Sequence, residues 1–182
     1  MDNWWLEKRR ILIVTWVSAC WKTSLQEEIL KDKDWVRPVN FSTREPRGDY
    51  ELDEYCFLTK EQFEIKERHW DFIETTNYWG NSYWITKYLP EDKNIVIIVD
   101  PIWRTQIIRY FLENNIEFES IYLYINLDTQ LERLTKRGDS IEEIIKRQRD
   151  FHWFWPTQSC TVLDWTLDSK VISDYLLYWI IN

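Results

Sequence analysis

The chain has 182 residues, of which 45% are hydrophobic and 30% are charged, a balance typical of one globular domain rather than a disordered chain. Its net charge is −8 without a basic block, which argues against a nucleic-acid duplex as partner but not against a free nucleotide. No apolar run is long enough to cross a membrane. The 3 cysteines are widely spaced and fit a reducing cytoplasm better than a disulfide framework or a metal site.

The first elements of the chain predict a strand, a loop and a helix. Ile11–Thr15 is apolar and β-branched, as a buried strand is, and 23–32 has a helical pattern. The segment between them has the spacing of the phosphate-binding loop G-x-x-x-x-G-K-[ST] and consists of Trp16, Val17, Ser18, Ala19, Cys20, Trp21, Lys22 and Thr23. In such a loop the lysine contacts the β- and γ-phosphates of ATP and the threonine hydroxyl ligates Mg²⁺.

Both glycines of this motif are tryptophans here. Glycine lets backbone N–H groups converge on a phosphate at a helix N-terminus, whereas another residue in the left-handed region costs roughly 1–2 kcal/mol. The chain has 3 glycines and 13 tryptophans, as if the two were exchanged. Trp35 and Trp70, each after a predicted helix, also fall where a C′ position favours glycine.

This exchange has two explanations. We favour UGA codons that are translated here as tryptophan but read as glycine in the source organism, because random change would not choose one residue type at motif glycines. The alternative is a tryptophan-rich protein whose loop has decayed. The coding DNA distinguishes them, since UGG at positions 16 and 21 would exclude the first.

The next region, from about 36 to 88, predicts a subdomain that is inserted after the loop–helix unit and could hold a second substrate. A capping box is expected to begin its helix, with Thr59 as N-cap and Gln62 three residues later. The expected elements are that helix at 60–69 and short strands around Val36–Phe41, Tyr55–Leu58 and Phe72–Asn77.

Beyond the insertion, strands and helices alternate, which predicts βαβ units and a parallel sheet with helices on both faces. Asp100 directly follows an apolar strand, a place that suits the metal shell beside the loop, although an ordinary strand-end acid is the commoner case. The expected strands are Ile95–Val99, Ile121–Leu127 and Thr161–Leu163, and the expected helices are 102–114, 129–137, 141–151 and 168–180.

Two arginines in the inserted region suggest a phosphate contact. Arg44 and Arg47 lie three residues apart and Pro46 braces the segment between them. Two such guanidinium groups could grip one phosphate through bidentate hydrogen bonds. A surface turn with exposed arginines explains this segment equally well.

Taken together, the motifs of the chain resemble guanylate kinase in order and spacing. The likeness runs from about Ile11 to Ile181, and Trp70, Trp84 and Trp103 fall at further family glycines. The matching segments are the loop, Ser42–Gly48 with Tyr55, Phe72–Glu74, Gly80–Trp84, Arg133 with Arg137-Gly138, and Lys146-Arg147.

The resemblance implies an α/β fold of the three-layer P-loop kinase type, in which helices flank a parallel sheet. It further implies an inserted monophosphate-binding subdomain and a short lid. The core would comprise 8–35, 93–135 and 142–182, the insertion 36–92, and the lid about 136–141.

The resemblance also implies ATP-dependent phosphorylation of GMP and dGMP with Mg²⁺. Glu74 would read guanine, with Asn40 near the base where the family usually has serine. The acceptor phosphate would be held by Arg44, Arg47, Tyr55 and Tyr83. Thr23 and Asp100 would serve the metal, and the catalytic residues would be Lys22, Arg133, Arg137 and Arg147.

Two alternatives remain at this point. A blocked loop with an intact acceptor pocket is typical of an inactive guanylate-kinase-like module that binds a protein or phosphopeptide. The chain also has Ile98 where the family has a second acid for guanine, so a kinase of another monophosphate acceptor is the other alternative.

Overall fold

The computed structural model describes residues 9–16, 22–46, 48–52, 55–69, 71–78, 80–152, 161–164, 174–175 and 178. The strands are β1 Ile11–Trp16, β2 Trp35–Val36, β3 Asn40–Ser42, β4 Tyr55–Phe57, β5 Phe72–Tyr78, β6 Asn81–Thr86, β7 Asn94–Val99, β8 Glu119–Tyr124 and β9 Thr161–Asp164. The helices are α1 Lys22–Ile29, α2 Lys60–Arg68, α3 Pro101–Glu113, α4 Leu127–Arg137 and α5 Ile141–His152.

In the part of the chain that the structure describes, the central sheet has five parallel strands in the order β2-β7-β1-β8-β9. Strand β1 lies in the middle because its residues are apolar on both faces, and Ile11–Thr15 are all nearly inaccessible to solvent. Leu12 and Val14 pack on the side of α1, whereas Ile11 and Ile13 pack on the side of α3. The predicted three-layer α/β fold is therefore confirmed.

The second sheet has four strands in the order β4-β3-β6-β5 and lies between Asn40 and Thr86 in the chain. One side packs against α2 through aromatic rings, with the centroid of Trp84 4.3 Å from Phe63 and 4.9 Å from Phe72. Ile73 and Ile85 join the core cluster under α3. This sheet is thereby anchored on the parallel sheet while its strand ends stay available for a site.

Several element predictions are confirmed, and the capping box of α2 is among them. The hydroxyl of Thr59 accepts a hydrogen bond from the backbone N–H of Gln62, and the side chain of Gln62 accepts one from the backbone N–H of Thr59. The helix then ends at Arg68. Among the described residues, no helix is both long enough and apolar enough to span a bilayer.

Other predictions need correction, and the strand expected at Val36–Phe41 is the first of them. It is two strands in different sheets, because Pro38 cannot donate to a ladder and the chain crosses between the sheets there. Strand β6 was not predicted at all. The strand expected at Ile121–Leu127 ends at Tyr124, because Asn126 caps α4 and accepts a hydrogen bond from the N–H of Thr129 at 2.8 Å.

The interpretation of Trp35 as a helix C′ residue is wrong. Helix α1 ends at Ile29, and Trp35 begins β2 with 4% of its surface exposed. Its indole belongs to the core on the α1 side of the sheet, where a glycine would leave a cavity. Trp70 and most of the helix predicted at 168–180 lie outside the described residues.

Candidate active site

The strand register of the smaller sheet brings together three of the residues predicted to bind the acceptor. Asn40 pairs with Tyr55 on one side and with Ile85 on the other, and Ile85 pairs with position 74 of β5. Directly paired residues project to the same face of a sheet. The next row along that face contains Phe57, Ser42 and Tyr83.

Arg44 lies at the end of this face, with its guanidinium against two adjacent aromatic rings. Its Cζ is 5.2 Å from the ring centroids of both Tyr55 and Phe57. Its Nη1 and Nη2 donate hydrogen bonds to the two carboxylate oxygens of Glu51 at 2.6 and 2.7 Å. The hydrogen bond to Glu51 raises the pKa of Arg44, an effect opposed by burial and assisted by the fields of Glu51, Tyr83 and Tyr55, so the group is cationic at any working pH.

The backbone before Arg44 is held by strand β6. The N–H of Thr43 donates to the carbonyl of Ser82 at 3.0 Å, and the N–H of Ser82 donates to the Thr43 hydroxyl at 2.8 Å. The N–H of Arg44 donates to the Ser42 hydroxyl at 3.2 Å. These bonds fix where the arginine leaves the sheet, so that its position does not depend on a loose surface loop.

The donor side of the candidate site lies at the carboxyl edge of the parallel sheet. Thr15 of β1 pairs with Val99 of β7, so the predicted loop and Asp100 leave neighbouring strands at the same edge. Helix α1 begins at Lys22, the lysine of the motif. Residues 17–21, Arg47, and the side chains of Lys22, Thr23 and Glu74 lie outside what the structure describes.

Trp103 connects the acceptor face with the donor edge. Its ring meets that of Tyr83 edge to face at 6.1 Å, and its backbone N–H donates to Oδ1 of Asp100 at 2.9 Å. Tyr83 and Asp100 are therefore joined through a single residue in the first turn of α3. Asp100 has a structural role as well, because this bond caps the helix.

The residues present fit Mg²⁺ bound with a nucleotide. Asp100 is an exposed carboxylate at the strand edge, and Thr23 occupies the second position of α1. Carboxylate and hydroxyl oxygens are hard donors of the kind this ion prefers, and phosphate oxygens of a substrate usually complete its shell. The donor set thus suits a metal that arrives with the nucleotide.

The two helices after β8 carry the arginines predicted to act on the transferred group. Arg137 ends α4 and donates from Nε to Oδ1 of Asp139 at 2.6 Å and from Nη2 to Oδ2. Arg147 of α5 donates from Nε to the same Oδ2 at 2.9 Å. The carboxylate of Asp139 is only 8% exposed and joins both arginines, while Arg133 lies on α4 one turn before Arg137.

Asp139 is expected to stabilise this corner in a pH-dependent way. The hydrogen bond from Arg137 lowers the pKa of Asp139 below its ordinary value of 3.8, and the charges of Arg137 and Arg147 act in the same direction. Because the folded pKa is the lower one, the stabilisation is complete above pH 4 and is lost as the pH falls through the folded value. Asp139→Asn should lower the free energy of unfolding at pH 7 by about 1–2 kcal/mol.

Urea unfolding of Asp139→Asn from pH 7 to pH 3 tests this expectation, with Glu132→Gln as the control. Glu132 also pairs with a cation on α4, but that pair is exposed, so Glu132→Gln should change the free energy of unfolding much less. The difference between wild type and Asp139→Asn should shrink below about pH 4. A difference that stays constant with pH would contradict the ionic origin.

Two residues of the site, Glu51 and Asp139, were missed by reasoning from the sequence. Each is an acid a few residues from an arginine, which is a weak signal because most such pairs are exposed. Ile98, where a second acid was expected, packs against the core cluster on the α1 side of the sheet. A base-reading group is therefore not found at that position.

Comparisons with known proteins point to one family. The guanylate kinase family model matches residues 8–152 of the chain. The chain is similar to the guanylate kinase of Clostridium tetani, with 26% identity over 147 residues that cover 76% of this chain and 68% of the relative. It is 32% identical over 143 residues to the guanylate kinase of Shewanella frigidimarina, with 74% of this chain and 68% of the relative covered.

A solved structure shows the same fold. The crystal structure of guanylate kinase from Anaplasma phagocytophilum matches with a TM-score of 0.66 and 18% identity, covering 95% of this chain and 85% of the other. The family model spans most of the chain, and a relative above 30% identity is covered over two thirds of its length. The chain belongs to the guanylate kinase family of nucleoside monophosphate kinases.

Proposed function

We propose that the protein transfers the γ-phosphoryl group of ATP to GMP and dGMP with the help of Mg²⁺. The observation that carries this proposal is the position of the first turn of α3, whose backbone donates to Asp100 at the donor edge and which lies beside Tyr83 of the acceptor face. Phosphoryl transfer needs chiefly such positioning and electrostatic stabilisation.

The acceptor phosphate is assigned to Arg44, Arg47, Tyr55 and Tyr83. Arg44 and Tyr55 are in contact, and Tyr83 lies in the adjacent row of the same face of the sheet. A guanidinium and two phenol groups supply donors to phosphate oxygens. The arrangement therefore favours a compact anion at the edge of the sheet.

Guanine recognition is assigned to Glu74, with Asn40 beside the base. Position 74 is in register with Ile85, which is in register with Asn40, so the two assigned positions lie in one row across the sheet. Guanine presents N1–H and N2–H₂ as adjacent donors, and a carboxylate accepts both. Adenine has an acceptor at N1, which would leave the carboxylate without its bonds.

On the donor side, the loop and the N-terminus of α1 would hold the triphosphate, with Lys22 at the β- and γ-phosphates. Thr23 and Asp100 would hold Mg²⁺, which would neutralise charge on the phosphate oxygens when bound. Arg133, Arg137 and Arg147 would stabilise charge on the transferred group. The lid at about 136–141 contains the Asp139 contact that joins two of these arginines.

The free nucleotide pool of the cytoplasm is the proposed setting. Cys56 is a free and exposed thiol. An exposed thiol persists in a reducing compartment. The acidic chain also suits free nucleotides better than a nucleic-acid duplex.

A panel of acceptors tests the proposal, with ADP release measured for GMP, dGMP, AMP, CMP, UMP and a sugar phosphate. The protein should carry glycine at positions 16 and 21, and kcat/KM for GMP should exceed that for AMP by about 10²-fold or more. Glu74→Gln should reduce kcat/KM for GMP by about 10²-fold and leave AMP turnover unchanged.

Glu67→Gln is the matched control for Glu74→Gln, since Glu67 is an exposed acid on α2 and should have no effect. Equal use of GMP and AMP would refute the assignment of Glu74. Preference for another monophosphate would establish the alternative acceptor that Ile98 suggests. No turnover of any acceptor would refute the kinase proposal.

One observation favours a second candidate function. Tryptophan occupies both glycine positions of the donor loop, whereas Arg44, Tyr55 and Tyr83 remain together on the acceptor side. A module that binds a phosphopeptide or protein through this face, without catalysis, would have this pattern. ATP binding distinguishes the two functions, as argued in the Discussion.

A further inference from the structure

We infer that Glu51 is a positioning residue for the acceptor phosphate, which it serves by holding the guanidinium of Arg44 in one orientation on the acceptor face. This inference rests on the proposed function, because it takes the phosphate of a nucleoside monophosphate as the ligand of Arg44. Glu51 itself does not contact the phosphate in this arrangement.

The contact between the two residues is bidentate and buried. The side chains of Arg44 and Glu51 are 11% and 7% exposed, and the two N–H···O distances are 2.6 and 2.7 Å. Nη1 of Arg44 also donates to the carbonyl of Glu45 at 3.0 Å. A planar guanidinium held at both terminal nitrogens cannot rotate about its own axis.

The local fold presents Glu51 to Arg44. Residues Asp49–Glu51 form a single 3₁₀ turn, in which the N–H of Glu51 donates to the carbonyl of Gly48 at 3.1 Å. This turn brings the carboxylate back towards a residue seven positions earlier. The aromatic rings of Tyr55 and Phe57 lie at 5.2 Å from the same guanidinium, so it is enclosed by both strand and turn.

A buried ion pair of this kind contributes little net free energy to folding. Taking both charges out of water costs about as much as their attraction returns, and well-packed apolar residues often do as well. What the pair does secure is the direction in which Arg44 presents its remaining donors. The bonds to Glu51 and Glu45 use both N–H groups of Nη1 and one of Nη2, and we assign Nε–H and the second N–H of Nη2 to the phosphate.

The ion pair between Glu51 and Arg44 also affects the net charge of the acceptor face. Glu51 cancels the charge of Arg44, so the described part of the acceptor face gains little net attraction for a dianion from this arginine. The phosphate would then be held at Arg44 by directed hydrogen bonds, and net positive charge would have to come from elsewhere, as the assignment of Arg47 supplies. Orientation is therefore the contribution that loss of Glu51 removes.

Calorimetric titration of GMP into the full chain tests the inference. The glycine replacements in the donor loop are not needed for this titration, because GMP is assigned to the acceptor side. Glu51→Ala should raise the Kd for GMP by about 10- to 100-fold, because a misdirected guanidinium loses a charge-assisted bond to the phosphate. Glu51→Gln keeps the volume but turns an N–H₂ towards the arginine, and it should also weaken binding. Glu67→Ala, which removes an exposed acid of α2 outside the acceptor face, is the control and should leave Kd unchanged.

A double-mutant cycle separates positioning from general destabilisation. If Glu51 acts through Arg44, then Arg44→Ala should weaken GMP binding and Glu51→Ala should add nothing further in that background. With glycine at positions 16 and 21, Glu51→Ala should raise KM for GMP while kcat at saturating GMP changes less than about 3-fold.

The outcomes for the inference and for the proposed function are distinct. A wild-type chain that does not bind GMP refutes the proposed function. A wild-type chain that binds GMP, with the same Kd in Glu51→Ala and Glu51→Gln, refutes the role of Glu51 alone. Additive effects of Glu51→Ala and Arg44→Ala would show that Glu51 acts independently of Arg44, which also overturns the inference.

Discussion

Replacement of Trp16 and Trp21 by glycine is expected to give the chain measurable affinity for ATP, which the wild-type chain with tryptophan at both positions should lack. A tryptophan that has to adopt the left-handed region in a phosphate-binding loop costs roughly 1–2 kcal/mol. Each backbone N–H bond that an indole keeps from a phosphate costs about 1.5–3 kcal/mol more. One strained residue and one lost bond amount to about 4 kcal/mol, on the order of a 10³-fold change in Kd.

We expect most of this effect to come from Trp21. Trp16 is the last residue of β1, pairs with Leu123 and packs against the core on the α1 side. Among the described residues, the non-glycine residue with a positive φ is Asn115 at 53°, so Trp16 is not strained. Trp21 directly precedes the N-terminus of α1, where phosphate must approach the backbone.

This prediction is checked by titrating ATP with Mg²⁺ into four proteins. They are the wild-type chain, the Trp16→Gly variant, the Trp21→Gly variant and the double variant. Trp21→Gly alone should recover more affinity than Trp16→Gly alone, and the double variant should bind best. GMP titrated into each protein serves as the folding control, because the acceptor residues lie on another sheet and should keep their Kd. A double variant that binds GMP but not ATP would establish the non-catalytic module.

The coding DNA offers an independent check of the same idea. Trp84 and Trp103 fall at family glycines, and among the described residues their buried indole nitrogens find no hydrogen-bond partner. Buried N–H groups of native proteins are nearly always satisfied. We therefore expect UGA at positions 16, 21, 84 and 103, and UGG at position 35, which lies in β2 and not at a helix C′ position.

The parts of the fold that could be predicted are those set by short-range pattern. The run Ile11–Val14 is apolar at every position and rich in β-branched residues, as a central parallel strand is, and the capping box at Thr59 depends on two residues alone. Strand β6 was missed because Asn81–Tyr83 is polar at its start. Its place depends on pairing with β5 across a turn at Gly80, whose φ is 75°.

The candidate site could also be predicted only in part from the sequence. The motif spacing indicated Arg44, Tyr55 and Tyr83, but only the strand register shows that the last two lie on one face. The contact with Glu51 could not be predicted, since it depends on the 3₁₀ turn that reverses the chain. Trp35 was misjudged because a helix was expected to end just before it, whereas α1 ends at Ile29 and Trp35 is buried in β2.

Replacement of Lys22 by alanine, in the protein with glycine at positions 16 and 21, is expected to abolish turnover. Lys22 is the first residue of α1, at the carboxyl edge of the strand that leads into the loop. A lysine there neutralises charge that grows on the β- and γ-phosphates during transfer, and loss of one such group reduces kcat by about 10²- to 10³-fold. Because the acceptor face is separate, KM for GMP should change little.

Lys31→Ala is the matched control for Lys22→Ala, because Lys31 follows the same helix and is exposed, with 69% of its side chain accessible. It should leave kcat unchanged. Lys22→Arg tests whether charge alone is sufficient, and it should not restore turnover, since a planar guanidinium cannot replace a compact ammonium between two phosphates. Initial rates of ADP release at saturating ATP and GMP decide the matter. A kcat for Lys22→Ala close to that of the parent would refute the assignment of this loop as the donor site.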